Sequence, residues 1–118
     1  MRHWSVTQSE DAIVISCYGH DKEGQFVAAV RQFREFAAAR RSRFKVIADL
    51  RHMTGYETAA RRAWQEGFRE QRQLMRAVIL VGAPSRGIRM GAAVVAAVAG
   101  VPVRFVEDWS EVAGLSLR

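Results

Sequence analysis

Residues 44–64 read Phe-Lys-Val-Ile-Ala-Asp-Leu-Arg-His-Met-Thr-Gly-Tyr-Glu-Thr-Ala-Ala-Arg-Arg-Ala-Trp, and this stretch decides the fold. Its first five residues form an apolar run with two β-branched side chains, which predicts a buried strand. Asp49 ends the run, and helical spacing begins only at about Glu57. A buried strand, a polar turn at its carboxyl end and a following helix form the usual site geometry of α/β proteins. We therefore expect an α/β fold with a candidate site in the loop 49–56.

The length and composition are those of one ordinary globular domain. The chain has 118 residues, of which 49% are hydrophobic and 25% charged, enough to bury a sizeable core. Cys17 is the one cysteine, so no disulfide can form within the chain, and a reducing compartment is expected. No apolar run is long enough to span a bilayer, and residues 1–20 lack a signal-peptide pattern. We therefore expect a single cytoplasmic domain.

The charge balance is strongly positive, with sixteen arginines, two lysines and a formal net charge of +6. Such a balance is the electrostatic footprint of nucleic-acid binding. The arginines are dispersed, however, and only Arg40, Arg41 and Arg43 form a tight cluster. Because this cluster follows a predicted helix, we interpret it as cations that suit the carboxyl end of the helix dipole. The pattern therefore disfavours nucleic-acid binding.

Strands and helices are predicted to alternate on both sides of the central stretch. Trp4–Thr7 and Ala12–Tyr18 predict a hairpin whose second strand ends at Gly19. A helix with Asp21 as its predicted N-cap follows, to about Ala39. The later elements are a helix from about Glu57 to Leu74, a strand Ala77–Val81, a helix from Ser85 or Arg86 to Ala99, a strand Val101–Val106, and a helix Trp109–Leu115 capped by Asp108.

Two of these helices carry further information. Gly67 weakens the helix after the central strand relative to alanine, so we expect close packing against a neighbouring element there. Trp64 and Phe68 are four residues apart on the same apolar face and are interpreted as core rather than as a ligand wall. The third helix is apolar on more than half of its circumference. This pattern indicates a heavily covered helix or an additional partner, and we expect a homodimer through it.

The element order is β-β-α-β-α-β-α-β-α. Strands joined by single helices imply right-handed crossovers and parallel neighbours, and the first hairpin makes the sheet mixed. We predict a single α/β domain with a mixed, mostly parallel β-sheet of about five strands and about four helices.

Three features of the chain carry a resemblance to a known family. They are the paired N-terminal strands, the strand Phe44–Leu50 that leads into a loop, and the ending Val103–Ala113, where a strand precedes a short acidic helix. With these features the chain resembles the STAS superfamily, specifically the small SpoIIAA-like (STAS/SEC14-type) bacterial proteins. The resemblance implies a non-enzymatic regulatory or protein-interaction module, and a divergent branch of the family is thought to hold small apolar ligands.

Anti-sigma-factor antagonists of this family carry an Asp-Ser-Ser-Gly-like motif at the start of the helix after the central strand, where a kinase phosphorylates a serine. The corresponding positions here are Glu57, Thr58, Ala59 and Ala60. The acid is kept, but alanine stands at the phosphoacceptor position and the glycine is absent. The resemblance therefore implies a module without the usual phosphoacceptor serine, for which Thr58 is the candidate substitute.

The loop after the central strand holds the residues with chemical potential. Asp49 could serve as a general base, His52 as an acid–base group and Arg51 as a clamp for an anion. Alternatively, Asp49 accepts hydrogen bonds from turn amides and the rest is a solvated loop. No second carboxylate or nucleophile completes a catalytic set, and the three histidines have no spacing that suits a metal. We therefore assign no catalytic residue, metal or cofactor.

A second candidate site follows the strand Ala77–Val81. A glycine-bearing loop leads there to a helix N-terminus with Ser85, Arg86 and Arg89, which could hold a phosphate or a carboxylate. The loop lacks both the P-loop lysine pattern and the glycine spacing of dinucleotide sites. The serine and glycines also suit a turn and a helix cap, which is the simpler interpretation.

These patterns lead to one main functional prediction and two alternatives. The main prediction is a non-enzymatic module that binds a protein partner, or a second copy of the chain, through one surface beside the third helix. That surface comprises Asp49, Arg51, His52, Thr54, Tyr56, Glu57, Thr58 and Arg61. The alternatives are a carrier of a small apolar or anionic ligand between the central sheet and the second and third helices, and an enzyme that uses Asp49 and His52. A closed apolar pocket would favour the carrier, whereas a flat face without a sizeable cavity would favour the module.

Overall fold

The computed structural model describes residues 4–20 and 24–114. Its elements are β1 (Trp4–Gln8), β2 (Ala12–His20), α1 (Phe26–Ala38), β3 (Phe44–Gly55), α2 (Thr58–Gln71), β4 (Met75–Val81), α3 (Arg86–Ala97), β5 (Val103–Val106) and α4 (Trp109–Gly114). The predicted element order is therefore confirmed. His3, the predicted N-cap Asp21 and the predicted helix end Leu115 lie outside the described residues.

The strands follow one another in the sheet in chain order, β1-β2-β3-β4-β5. β1 is antiparallel to β2 and the other neighbours are parallel, which confirms the mixed, mostly parallel sheet. Right-handed crossovers that always step in the same direction return their helices to the same face. Accordingly α1, α2 and α3 pack on one face, the helix face, where Val46 and Leu80 lie. The short α4 packs on the opposite face, the α4 face, where Ile47 and Val81 lie.

The main core lies between the helix face and the three long helices. Phe33 of α1 is fully buried at its centre. The Phe33 ring lies 6.5 Å from Phe44, 5.8 Å from Trp64 and 5.4 Å from Phe68, measured between ring centroids. These aromatic contacts join α1 to α2 and to β3, so this end of the sheet is densely packed.

Gly67 lies where α2 packs against α1. A Cβ built on it would lie 3.6 Å from Val30 Cγ1 and 3.7 Å from Phe33 Cδ2. The predicted close packing at Gly67 is therefore confirmed. These separations are ordinary van der Waals contacts, so the site has room for one methyl group.

The predicted end of the central strand at Asp49 is wrong. β3 continues to Gly55 because β2 extends beside it, with Tyr18 opposite His52 and His20 opposite Gly55. Backbone pairing with a neighbour thus overrides the polar sequence, and alternating polar side chains are compatible with a strand whose one face reaches solvent. The candidate loop 49–56 is therefore mostly strand.

The predicted end of β2 at Gly19 is also wrong. Gly19 adopts a φ of +71°, and the register shifts between it and His20. Glycine tolerates this left-handed conformation, so the strand passes through an irregularity and continues.

The basic cluster directly follows α1, as predicted. The helix ends at Ala38 with Ala39 as its C-cap, so Arg40 and Arg41 lie just beyond its carboxyl end. The Arg40 guanidinium also donates hydrogen bonds to the carbonyl oxygens of Glu10 at 2.6 Å, Ser9 at 2.5 Å and Ala12 at 3.0 Å. Arg40 therefore holds the β1–β2 turn against the end of α1.

Two predicted helix caps are confirmed. Ser85 Oγ accepts a hydrogen bond from the Ile88 amide at 3.2 Å at the start of α3. Asp108 Oδ1 accepts from the Ser110 amide at 2.8 Å, and Glu111 Oε2 accepts from the Asp108 amide at 3.1 Å. This reciprocal arrangement satisfies the amides of Asp108 and Ser110 at the start of α4.

Candidate functional site

The sheet separates the predicted site residues into two groups. Asp49, Arg51 and His52 lie on the α4 face, whereas Tyr56 and Arg61 border a cavity on the helix face. The surface that the sequence predicted as continuous is thus divided between two sides of the molecule.

Asp49 is buried beneath α4 and accepts hydrogen bonds from two residues. The Arg51 guanidinium donates from Nε to Oδ1 and from Nη2 to Oδ2, each at 2.9 Å. Trp109 of α4 donates from Nε1 to Oδ2 at 2.9 Å, and the Arg51 amide donates to Oδ1 at 3.2 Å. These bonds fix α4 to the centre of the sheet.

Burial and hydrogen bonding act in opposite directions on the pKa of Asp49. Burial alone would raise this pKa, but hydrogen bonds from the Arg51 guanidinium, from Trp109 and from the Arg51 amide hold the pKa below its usual value. The hydrogen-bonded carboxylate in turn raises the pKa of Arg51. Asp49 is therefore an ion-paired anion whose oxygens are already occupied, which makes it a poor general base.

His52 lies on the same face but stacks on Tyr18. The two ring centroids are 5.5 Å apart, the planes differ by 11°, and both side chains are exposed. A catalytic pair would need a hydrogen bond between Asp49 and His52. The described hydrogen bonds to the Asp49 carboxylate come instead from Arg51 and Trp109, so the geometry does not support this pair.

Arg51 is seated against the loop that follows β4. Gly82 adopts a φ of +61°, and a Cβ built on it would overlap Arg51 Cγ and lie 3.1 Å from the Glu107 carbonyl oxygen. Glycine is therefore required here both by backbone conformation and by the close approach of the arginine stem.

The rest of that loop contains the predicted anion-binding residues. Ser85 caps α3, and the Arg89 guanidinium lies 4.2 Å from the centroid of the Phe105 ring. Arg86 is exposed at the first residue of α3. The shallow groove at this position is lined by Ala83, Pro84, Ser85, Arg86, Arg89, Met90, Ala93 and Phe105. Ser85 and Arg89 thus have structural partners, as the simpler interpretation of the loop expects.

Three further predicted residues surround the start of α2. Thr54 is exposed near the end of β3, and Glu57 is the N-cap residue of α2 with extended backbone. Thr58 is the exposed first residue of the helix. Phosphorylation of Thr58 stays a prediction.

An apolar cavity of about 60 Å³ lies between the central strands, α2 and α3. Its lining consists of Trp4, Ile15, Cys17, Ala48, Leu50, Met53, Tyr56, Ala60, Arg61, Trp64, Phe68, Leu80, Gly91, Ala92 and Val95. Several of these are small residues, and their short side chains leave the space unfilled. Trp64 and Phe68 are core residues, as the sequence predicts, and they are also part of the cavity wall.

Tyr56 covers part of this cavity. A Cβ built on Gly91 of α3 would overlap the Tyr56 hydroxyl, so the hydroxyl end of the tyrosine lies against this glycine. Arg61 lines the same cavity and is exposed, so the cavity reaches solvent beside these residues. The sequence singles out Tyr56 and Arg61, and its carrier alternative places a ligand in this region, but no residue pattern indicates the unfilled space, which is formed by elements far apart in the chain.

The described residues offer neither a transmembrane helix nor a metal cluster. None of their helices is long and apolar enough to cross a membrane. Nor do they bring together three or more His, Cys, Asp or Glu side chains that could hold a metal ion. The two candidate features are therefore the ion-paired Asp49 group on one face and the cavity on the other.

The sequential sheet, with three helices on one face and α4 on the other, matches a solved structure. That structure is an uncharacterised protein of the DUF3478 family from Shewanella loihica PV-4, described as having a SpoIIAA-like fold. It matches with a TM-score of 0.71 over 94% of this chain and 90% of that chain. The present chain has a SpoIIAA-like fold. The SpoIIAA-like fold that the resemblance implies is therefore confirmed.

The SpoIIAA-like fold does not by itself supply a function. The two sequences are 11% identical, so the likeness concerns the fold alone. No protein-family model matches the sequence, and no curated protein matches it. A function must therefore be argued from the side chains of this chain.

Proposed function

We propose that the protein binds a small molecule with an apolar portion in the cavity between the central strands, α2 and α3. The supporting observation is the cavity itself, with its apolar lining. Small-molecule sites are typically concave, mostly apolar and provided with a few polar groups, which here are Tyr56 and Arg61. This is the carrier that the sequence suggested as an alternative, and the cavity lies where that alternative places the ligand.

The cavity volume limits the size of the occupant. One water molecule needs roughly 10–15 Å³ of such space, so a cavity of about 60 Å³ would accommodate about four to six non-hydrogen atoms. A longer molecule would extend past Tyr56 and Arg61 toward solvent. We therefore propose a short apolar group, or the end of a longer chain, as the occupant.

An unfilled cavity weakens a fold. At ~24 cal/mol per Å³, the lost contacts would cost roughly 1 kcal/mol here. A larger side chain at a lining position such as Ala92 would remove that cost, and a bound ligand would do the same. The small lining residues are thus better explained by a bound molecule than by stability.

Native mass spectrometry of the protein purified from its own cells tests this proposal. We expect an additional mass that survives gentle conditions and is lost on denaturation. Ala92→Leu should abolish this adduct because it fills the cavity, whereas Ala97→Leu, the same change at an exposed position of α3, should retain it. Retention of the adduct by both variants would place the ligand elsewhere and contradict the proposal.

A second proposal is a regulatory or protein-interaction module, and the outer surface of α3 favours it. Met90 and Val94 lie one helical turn apart and are 62% and 48% exposed. Large apolar side chains exposed together are typical of contact surfaces. The partner would be a second copy of the chain or another protein that covers α3.

Sedimentation across a range of concentrations tests self-association through α3. We expect a dimer that Val94→Glu dissociates. Val27→Glu, the same change at a 50% exposed position of α1, should leave the dimer intact. A monomer at every concentration would contradict the homodimer.

A further inference from the structure

One charged side chain contributes to the wall of the apolar cavity. Among the described residues that line the cavity, Arg61 of α2 is the one that carries a charge, and it is exposed. An arginine in such a position covers apolar surface with its aliphatic stem and keeps its guanidinium in water. The positive charge of Arg61 therefore lies at the mouth of the cavity rather than inside it.

This charge has no carboxylate partner in the part of the chain that the structure describes. Arg61 takes part in none of the ion pairs there, and Glu57, one helical turn earlier, does not form one with it. α3 contributes Gly91, Ala92 and Val95 to the lining, and its sequence contains no acidic residue. The mouth of the cavity is therefore positive, which favours the approach of an anion.

The Tyr56 hydroxyl is a second polar group on the wall, and it lies against Gly91. A phenolic hydroxyl both donates and accepts hydrogen bonds, so it suits donors and acceptors alike. It does not distinguish an anion from a neutral molecule or a cation. Selection by charge at this mouth therefore depends on Arg61.

We propose that the ligand is an amphiphilic oxyanion, whose apolar tail fills the cavity and whose carboxylate or phosphate head binds the Arg61 guanidinium at the mouth. This inference rests on the proposed function and narrows its ligand class. The planar guanidinium can donate two parallel hydrogen bonds to either head. A cavity of about 60 Å³ leaves room for a tail of about four to six carbon atoms. Arg61 is then the specificity-determining residue.

The test uses three probes of six carbon atoms each, namely hexanoate, 1-hexanol and hexylammonium, whose heads are negative, neutral and positive at pH 7. Each is titrated into protein with ¹³C-labelled methyl groups. The methyl resonances of Leu50, Leu80 and Val95, which line the cavity, report binding. We expect the wild type to bind hexanoate about tenfold more tightly than hexylammonium, because Arg61 attracts one head and repels the other.

Arg62 provides a matched control for Arg61. Successive residues of an α-helix are about 100° apart, and Arg62 is exposed but does not line the cavity. Arg61→Gln should lower the ratio of hexanoate to 1-hexanol affinity by about fivefold, the loss expected for one partly exposed ion pair. Arg62→Gln removes the same charge from the same helix and should change this ratio by less than about twofold. The wild-type comparison of opposite heads stands as a test even if a variant does not fold.

Hexyl phosphate distinguishes the two heads. Arg61→Gln should weaken its binding as well, and the tighter of hexyl phosphate and hexanoate in the wild type identifies the head that the mouth prefers. Either order supports an oxyanion, provided that both probes depend on Arg61.

The outcomes separate this inference from the proposed function. Equal affinities of the wild type for hexanoate and hexylammonium, or equal losses in Arg61→Gln and Arg62→Gln, would overturn the inference and leave the cavity as a binding site. Ala92→Leu should abolish the methyl shifts with every probe, because it fills the cavity. If no probe moves the cavity methyls of the wild type, or if Ala92→Leu retains the shifts, the proposed function itself fails.

Discussion

On the α4 face the Trp109 indole donates to Asp49 at 2.9 Å, whereas on the helix face the Trp64 indole has no acceptor among the described residues. The same type of side chain thus has a hydrogen-bond acceptor on one side of the sheet and none among the described residues on the other. The Asp49 carboxylate is occupied by Arg51 and Trp109, whereas the cavity lies between large aromatic side chains and small residues such as Ala60, Gly91 and Ala92. The polar residues most suggestive of chemistry thus have hydrogen-bond partners within the fold, whereas the apolar side contains unfilled space.

The largest expected change in stability concerns Gly82, whose missing side chain leaves room for Arg51 on the α4 face. Gly82→Ala should lower the free energy of unfolding by about 3 kcal/mol, because alanine is strained at positive φ and its Cβ would push Arg51 away from Asp49. Chemical denaturation measures this change.

Gly100→Ala is the matched control for that variant. Gly100 has a φ of +68°, and a Cβ built on it would meet no atom of the described residues within 4 Å. Strain alone should therefore cost it about 1 kcal/mol. Equal losses of unfolding free energy in Gly82→Ala and Gly100→Ala would show that the close approach of Arg51 to Gly82 contributes nothing to stability.

The next effect concerns the carboxylate itself. Asp49→Asn should destabilise the protein by about 2 kcal/mol, since it removes the ion pair but leaves one oxygen for Trp109, and Arg51 is partly solvated. Asp11→Asn, the same change at a 61% exposed carboxylate that pairs with Lys45 at 3.3 Å, should cost less than about 0.5 kcal/mol. Similar losses in both variants, measured by denaturation, would contradict the structural role of Asp49.

The pH dependence of stability tests the Asp49 carboxylate in a second way. The folded pKa of Asp49 lies below its unfolded value, so its contribution is present above the unfolded pKa and is lost as the pH falls through the folded pKa. Below about pH 4 the unfolded chain binds the additional proton, and the wild type should lose its advantage over Asp49→Asn. Urea unfolding of both proteins at neutral and acidic pH measures how much the difference between their unfolding free energies decreases. A constant difference between them would contradict it.

The element order was predictable because each buried strand is a short apolar run and each long helix has an apolar face. The length of β3 was not predictable. Its last residues pair with the end of β2, and the sequence predicts that β2 stops at Gly19. The partner of Asp49 was equally inaccessible, because Trp109 lies 60 residues away. The cavity required knowing how side chains from β2, β3, α2 and α3 meet, and periodicity does not report unfilled volume. Local patterns therefore predict elements, whereas a site depends on distant contacts.

The smallest expected effect compares two glycines on the helix face. Gly67→Ala should raise the free energy of unfolding by up to about 1 kcal/mol, because it favours the helix and its methyl meets Val30 at 3.6 Å. Gly91→Ala brings the same helical preference but must displace the half-buried Tyr56, so its net change should stay within about 0.5 kcal/mol. Displacement of Tyr56 should also open the cavity, which predicts faster hydrogen exchange of the Trp64 indole in Gly91→Ala than in Gly67→Ala. If Gly91→Ala instead stabilises the fold as much as Gly67→Ala and leaves that exchange unchanged, Tyr56 does not close the cavity, and ligand entry must be sought beside Arg61 alone.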